Sequence, residues 1–365
     1  MKLYCDTKIL SEAVNIVSKA VSVKSNLPHL EGILLEAFGG ILTLTSNNLE
    51  ISIKKTISAN ISEEGKIVLN CKMFSEILRK LPEDVCEIMT NEKNNISISC
   101  LNSDYKIAGL PADEFPQPPE VEEENHITLK SSALKDIIDK TLFAVSLDNT
   151  RKIFTGSLYE INDNNLTVVS IDGYRLALVK NYFEKNLNSS KMIIPGKSQG
   201  ELAKILKGGE DNIEIYFCDK YVLFEGEGIK FTSRLIEGEF FAYKKTIPAE
   251  SKIIVKAVCR EFLKSVERVE PIIDEVNKNC VRLKYGSGKI IIRCETVLGT
   301  VCDSVECDYF GEEFEIGFNY RYLHDAASRC KGEEIQMSIN SPINPMIMTN
   351  PEDDSFLYLV LPVKL

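Results

Sequence analysis

The side chains in this 365-residue sequence best spaced for chemistry are cations repeated along helical segments, not nucleophiles or metal ligands. Arg260, Lys264 and Arg268 stand at i, i+4 and i+8, so they share one helix face. Lys72, Arg79 and Lys80 lie opposite an apolar stripe, as do Lys197, Lys204 and Lys207. Lys8 and Lys19 share a face with Asn15, and Arg321 and Arg329 mark one further helix. On any one helix such charges are ordinary solvation. Recurring helix after helix, they would form one positive surface if the helices face inward. Such a surface makes weak, salt-sensitive contacts to phosphates and carries no sequence readout.

Other chemistry is poorly supported. His29, His126 and His324 have no carboxylate or cysteine at ligand spacing along the chain. Pro195-Gly196-Lys197-Ser198 resembles the end of a phosphate loop, but Lys191 stands where that loop needs its first glycine. A helix start with Ser198 near the cap fits better. No GxSxG, HExxH or GxGxxG occurs. The 11 cysteines are odd in number, form no CxxC, and sit mostly in apolar contexts, as reduced core thiols do. No catalytic residue, metal site or cofactor is expected, which points to a binding or scaffold role.

The elements that must position these cations recur three times, with a period of roughly 120 residues. Each unit opens on an amphipathic helix, at 6–21, 130–145 and 256–269, followed by a strand hairpin. A second helix follows, at 70–82, 194–209 and 319–332, and then further strands. Apolar residues at helical spacing define the stripes, for example Ile9, Leu10, Ala13, Val14 and Val17, or Met73, Phe74, Ile77 and Leu78. The fifth stripe includes Val258, Phe262, Leu263 and Val266. Between helices the sequence alternates with period two, and GEG at 226–228 and GSG at 286–288 read as hairpin turns. The expected fold class is α+β: three similar domains, each with two helices packed on antiparallel sheet. Proline-bearing polar stretches place the domains at 1–118, 126–246 and 252–365.

The net charge of −11 runs against a nucleic-acid partner, yet the acid concentrates outside the helices, at 112–125, 311–315 and 350–354. No apolar run reaches the length of a signal peptide or a membrane span, so a cytoplasmic protein without membrane contact is expected.

At IDGYRLALV (171–179) and YLVLPVKL (358–365) the chain resembles the bacterial DNA polymerase III beta subunits, the sliding clamps. SNLPHLEGILLEA (25–37), GLPADEFP (109–116), TRKIFTGSLYE (150–160), RLIEGEF (234–240) and SPINPMIM (341–348) extend the likeness over the full length. The resemblance implies a non-catalytic processivity factor: a head-to-tail homodimer whose six domains form a ring around duplex DNA, with helices lining the hole. Tyr105 and Ile107 would meet Ile272 and Ile273 across the subunit joint. Lys24, Lys72, Arg79, Asp148, Lys152, Ile153, Lys197, Arg260 and Lys264 fall at DNA-facing positions. The implied partners are duplex DNA, the replicative polymerase alpha subunit, the clamp loader and other proteins bearing clamp-binding motifs.

The family docks those motifs in a peptide groove between its second and third domains. The matching stretches place Arg151, Phe154, Ile171, Gly173, Tyr174, Arg175 and Leu176 there. Phe241, Lys245 and Thr246 join from the connector, and Leu359, Val360, Leu361, Pro362, Val363 and Lys364 from the tail. Several positions depart from the family pattern. Phe241 replaces a frequent proline, Tyr174 a histidine and Ile171 a small residue, which makes a bulkier, more apolar pocket. Asp148, Lys152 and Ile153 stand where glutamine and two tyrosines are expected; Asp148 would repel phosphate and Ile153 cannot stack. Two other readings stay open: an enzyme built on a repeat scaffold, and a scaffold that binds only proteins, its basic faces merely solvated.

Overall fold

A computed structural model describes residues 1–22, 24–121, 126–273 and 280–364, which leaves 122–125 of the acidic linker outside the described residues. The first repeat runs β1 (Lys2–Asp6), α1 (Thr7–Val17), β2 (Gly32–Phe38), β3 (Ile41–Asn47), β4 (Ile51–Ser58), β5 (Asn60–Glu63), β6 (Gly65–Asn70), α2 (Cys71–Leu78), β7 (Val85–Thr90), β8 (Asn95–Cys100) and β9 (Ser103–Ala108). The second runs β10 (His126–Lys130), α3 (Ser131–Thr141), β11 (Gly156–Ile171), β12 (Arg175–Pro195), α4 (Gly196–Ile205), β13 (Asn212–Phe217), β14 (Tyr221–Gly226) and β15 (Ile229–Arg234). The third runs β16 (Ile253–Val258), α5 (Cys259–Glu267), β17 (Cys280–Gly286), β18 (Lys289–Thr296), β19 (Gly299–Glu306), β20 (Phe314–Asn319), α6 (Tyr320–Ala327), β21 (Glu334–Ile339), β22 (Met346–Asn350) and β23 (Asp353–Val360).

α1, α2 and α6 start where a polar side chain can satisfy their free N–H groups, whereas α5 starts after Val258 without such a cap. Asp6 accepts from the amides of Lys8 and Ile9, Asn70 from that of Met73, and Asn319 from those of Arg321 and Tyr322. Each such cap contributes about 1 kcal/mol. The capped helices begin within one residue of the expected starts and are shorter at their C-terminal ends: α1 stops at Val17, α2 at Leu78 and α6 at Ala327, against expected ends at 21, 82 and 332. Leu10, Val14, Phe74, Phe262 and Leu323 are buried as the stripes require, whereas Ile9, Met73 and Val258 are about half exposed. Ser198 is buried, its hydroxyl accepting from Ser233 rather than capping a phosphate-binding turn.

The repeat holds at the level of pairing. β1 pairs β7, β10 pairs β13 and β16 pairs β21. Likewise β2 pairs β6, β17 pairs β20, and the outer halves of β11 and β12 pair with each other. In the second repeat one long hairpin replaces four strands, bent where Asp163 takes a φ of 54° and the register shifts. At the two predicted hairpin turns Glu227 and Gly228, and Ser287 and Gly288, all have positive φ, as a tight two-residue turn requires.

The chain divides into two compact units, residues 1–134 with 197–235 and residues 135–196 with 236–365, which cut across the second repeat. The first unit holds a five-stranded sheet, β5-β1-β7-β8-β9, and an eight-stranded sheet, β10-β13-β14-β15-β4-β3-β2-β6. The second holds a six-stranded sheet, β11-β12-β23-β22-β21-β16, and a four-stranded sheet, β19-β18-β17-β20. The cut has a physical cause. β15 pairs β4 and β23 pairs β12, so the last strand of one repeat extends a sheet of the repeat before it. Proline-rich connectors mark where the repeats meet in sequence, but shared sheets fuse them.

Candidate functional site

Every residue expected in the peptide groove falls within the second unit. The tip of the β11–β12 hairpin is a tight turn organised by Asp172, whose carboxylate accepts from the amides of Tyr174 at 2.9 Å and Arg175 at 3.0 Å. Gly173 sits at a φ of 94°, where a Cβ would meet nothing within 4 Å, so the backbone conformation and not space calls for glycine. Arg175 donates Nε to Asp172 at 2.9 Å and Nη1 to Asp325 of α6. Its guanidinium also lies 5.3 Å from the Phe143 ring centre and 4.7 Å from that of Tyr322. With its side chain only 10% exposed, Arg175 braces the turn rather than reaching out to a ligand. Tyr174 is 60% exposed and stacks on Tyr322 at 5.8 Å.

Beneath this turn lies an apolar floor of Leu158, Val169, Ile171, Leu176, Leu178, Ile193, Ile236, Tyr243 and Leu359. Burial of each Leu or Ile here is worth about 1.5–3 kcal/mol. Ile153, Phe154, Phe240, Ile247 and Leu361 pack against it while keeping part of their surface open. Phe154 meets Phe240 at 6.3 Å and Phe241 at 6.4 Å, both edge to face, and carries the Arg151 guanidinium 5.9 Å above its ring. Ile153, expected beside DNA, therefore sits in the groove's apolar packing. Asp148 caps the short helical turn Asn149–Thr155, accepting from the amide of Thr150 at 2.9 Å and its hydroxyl at 2.7 Å. Those bonds hold its carboxyl below the usual range, so the loop needs the negative charge for its own geometry. Lys152 is exposed beside it.

The tail completes the site in two parts. Leu359 and Val360 belong to β23, opposite Leu176 and Arg175, and both are buried, Leu359 as part of the floor. Beyond them the Leu361 amide donates to the Tyr174 carbonyl at 2.9 Å and the Val363 amide to that of Gly317 at 2.9 Å. Pro362, lacking an N–H, ends the ladder between them. Leu361, Pro362 and Val363 are partly open and Lys364 is exposed, as are Phe241 and Lys245 on the connector. The result is an apolar patch with an exposed aromatic and cationic rim, the kind of surface on which apolar anchors of an extended peptide pack.

The cations separate into two classes. Lys24, Lys72, Arg79, Lys197 and Arg260 are exposed and have no ion-pair partner among the described residues. Lys264 is 3.5 Å from Glu261, Lys204 2.9 Å from Glu201 and Lys207 3.3 Å from Glu227. Arg268 pairs with Asp303. Arg329 is committed internally: it donates to the carbonyls of Asp139 and Asp325 and stacks over Phe143 at 4.7 Å. It therefore leaves the set of phosphate-facing residues. Tyr105 and Ile107 lie half-buried on β9, an edge strand. Ile272 ends a helical turn beside the hairpin that leads into β19, also an edge strand, its carbonyl accepting from Thr296 at 2.8 Å; Ile273 follows it, half-buried.

Tyr322, Asp325 and Phe240 pack at this candidate site, and sequence reading does not point to them. By spacing Tyr322 falls in the apolar stripe of α6, and the register that turns it toward Tyr174 and Arg175 is set by long-range packing. Phe240 adjoins Phe241, and that doublet is the one available signal. Each histidine also finds one glutamate across the fold: His29 to Glu114 at 4.0 Å, His126 to Glu214 at 3.6 Å and His324 to Glu267 at 3.8 Å. These are single pairs, and among the described residues no group of three or more His, Cys, Asp or Glu side chains could hold a metal ion. No helix of the described residues is long and apolar enough to cross a membrane.

Comparison with known proteins gives matches over the whole chain. Family models for the N-terminal, central and C-terminal domains of the DNA polymerase III beta subunit match residues 1–119, 128–241 and 244–364. The chain is 35% identical to the beta sliding clamp of Halalkalibacterium halodurans, with all of both chains covered. The crystal structure of the DNA polymerase sliding clamp from Bacillus subtilis is 32% identical and superposes with a TM-score of 0.97, covering 100% of this chain and 99% of that one. A DNA polymerase III beta subunit structure from Eubacterium rectale is 33% identical over 100% of both chains, with a TM-score of 0.96.

Proposed function

This chain belongs to the DNA polymerase III beta subunit family, the sliding clamps, and we propose that it closes head to tail with a second copy into a six-domain ring around duplex DNA. As a sliding clamp it is a processivity factor: DNA is held by encirclement, not by affinity. One observation carries the ring. Within the chain each joint between repeats is a five-residue ladder, the last strand of one repeat against the middle strand of its predecessor: Ile229–Ser233 on Lys55–Ile51, and Phe356–Val360 on Val179–Arg175. The corresponding strands left over are β9 of the first repeat and β19 of the third, and both are open sheet edges. A second copy that pairs β9 with β19 repeats the internal joint twice more and leaves no such edge unpaired. Tyr105 and Ile107 on β9 would then face the Ile272–Ile273 turn.

Lys24, Lys72, Arg79, Lys197 and Arg260, which have no ion-pair partner among the described residues, would face the phosphates with Lys152 and Lys264. The groove formed by Arg151, Phe154, Ile171, Gly173, Tyr174, Leu176, Phe241, Lys245, Thr246 and the tail 359–364 would receive peptide motifs of the replicative polymerase alpha subunit, the clamp loader and other replication or repair proteins, with Arg175 bracing its rim. No catalytic step belongs to the chain itself in this reading, and a cytoplasmic location follows from its place on the chromosome. The domain limits we infer are 1–118, 126–246 and 252–365; the ranges matched by the three family models support their number and order. Retention on DNA tests the reading. Protein loaded onto a nicked circle stays bound through a high-salt wash and is released when the circle is cut; equal loss from both forms would refute encirclement.

A further inference from the structure

Glu160 is a carboxylate on β11 with only 4% of its surface exposed, behind the floor of the groove. One oxygen accepts from the Tyr243 hydroxyl at 2.7 Å and from Lys244 at 3.0 Å; the other lies 3.2 Å from Lys191, directly opposite on β12. Tyr243 is equally buried, its ring in the apolar floor beside Leu158, Ile171 and Leu359. The backbone of the connector winds around that residue. The Tyr243 amide donates to the Phe241 carbonyl at 2.7 Å, and its own carbonyl accepts from the amide and hydroxyl of Thr246 at 2.9 and 2.7 Å. The connector residues Phe241 and Lys245, which form the groove rim, are thus tied to the place of one tyrosine ring.

We propose that Glu160, acting through the Tyr243 hydroxyl, is a positioning residue for peptide docking, fixing the connector so that Phe241 and Lys245 stand in place before a partner arrives. The inference rests on the groove reading above and deepens it. Apolar packing alone would leave the Tyr243 ring free to shift about its own axis and along the connector. A directional bond to a buried acceptor removes that freedom. Stability gives no reason for an acid here, because a buried ion pair replaced by apolar side chains of similar volume commonly costs nothing. Burial pushes the Glu160 carboxyl up, but the bonds from Tyr243, Lys244 and Lys191 outweigh it and hold it ionised. A groove whose wall is set in advance binds tighter, since less ordering is left to be done on docking.

The test uses the full-length homodimer and a fluorescein-labelled synthetic peptide with leucine and phenylalanine anchors. In the double variant Glu160→Leu with Tyr243→Phe both polar partners become apolar, so the melting temperature stays within about 2 °C of the parent. Peptide affinity is expected to fall about three- to tenfold, and the Thr246 amide to exchange faster with solvent. Tyr243→Phe alone should weaken the peptide similarly, and Glu160→Gln alone, which keeps an acceptor for the hydroxyl, should retain most of the parent affinity. A double variant that binds the peptide within twofold of the parent overturns the proposal. If the parent fails to bind, or Phe154→Ala binds as well as the parent, the groove reading itself falls, which separates the two failures.

Discussion

Val360 lies opposite Arg175 in the ladder that joins β23 to β12, so the end of the chain is built into the strand that carries the groove's rim. The carbonyl of Tyr174 next takes the amide of Leu361, and the tail then crosses to Gly317. The proposed groove and a joint between repeats would therefore be one construction. A change that loosens the tail is expected to act on docking and not on the ring. Deleting residues 361–365 should abolish polymerase stimulation while sedimentation still shows a dimer; undiminished stimulation would contradict the assignment.

Arg175 neutralises two carboxylates, those of Asp172 and Asp325, at a site with little solvent. Its replacement by alanine leaves Asp172 without its cation and Asp325 with only Arg329, 3.8 Å away. The expected destabilisation is about 3 kcal/mol, the cost of breaking a buried pair by removing one partner. Urea unfolding measures it, and a change under 1 kcal/mol would place the carboxylates in solvent instead (~0–1 kcal/mol for an exposed pair).

Charge reversal at Lys72, Arg79 and Arg260 should impair loading on DNA and leave peptide affinity unchanged. Salt titration provides the sharper readout: removing one phosphate-binding cation lowers the slope of log K against log salt by about 0.9. Arg329→Glu should behave differently. It is expected to lower stability, because the side chain no longer reaches the Asp139 carbonyl or stacks on Phe143, without a specific effect on that slope. Equal slopes for parent and triple variant would remove those three residues from the DNA surface.

Acid should unfold the protein through a small set of held carboxylates. Burial raises the carboxyls of Glu160, Asp136 and Asp303, but hydrogen bonds override it: Tyr243, Lys244 and Lys191 for Glu160, Lys140 and Lys331 for Asp136, and Arg268 with Ser265 for Asp303. All three end below their ordinary range. The unfolded chain then binds more protons than the folded one, so each group stabilises fully above its ordinary value and progressively less as pH falls through the depressed one. Melting temperature is expected to hold down to about pH 5 and then drop steeply toward pH 3. A midpoint that stays level to pH 3 would contradict the ionised pairing.

Much of the fold is legible in the sequence, for identifiable reasons. Period-two and helical spacing locate the strands and helices because burial on one face imposes them, and Leu10, Phe74 and Leu323 follow the stripes. The fusion of repeats is not legible, since β15 on β4 and β23 on β12 join segments far apart whose alternation looks like that of any strand. At the candidate site, residue types alone do not separate Leu359 and Val360, both buried, from Leu361 and Phe241, which remain open. Nor does charge alone tell Arg329, spent on Asp139 and Phe143, from Arg260, which stands free of ion pairs among the described residues.

The ring is tested most directly by the native mass of the intact chain beside that of a variant with Tyr105→Ala and Ile107→Asp on β9. Twice the chain mass of 41.0 kDa is expected for the parent, and a folded single chain for the variant, which no longer stays on a nicked circle. A parent that runs as a single chain at micromolar concentration, or a variant that remains a dimer, would contradict closure through β9 and β19.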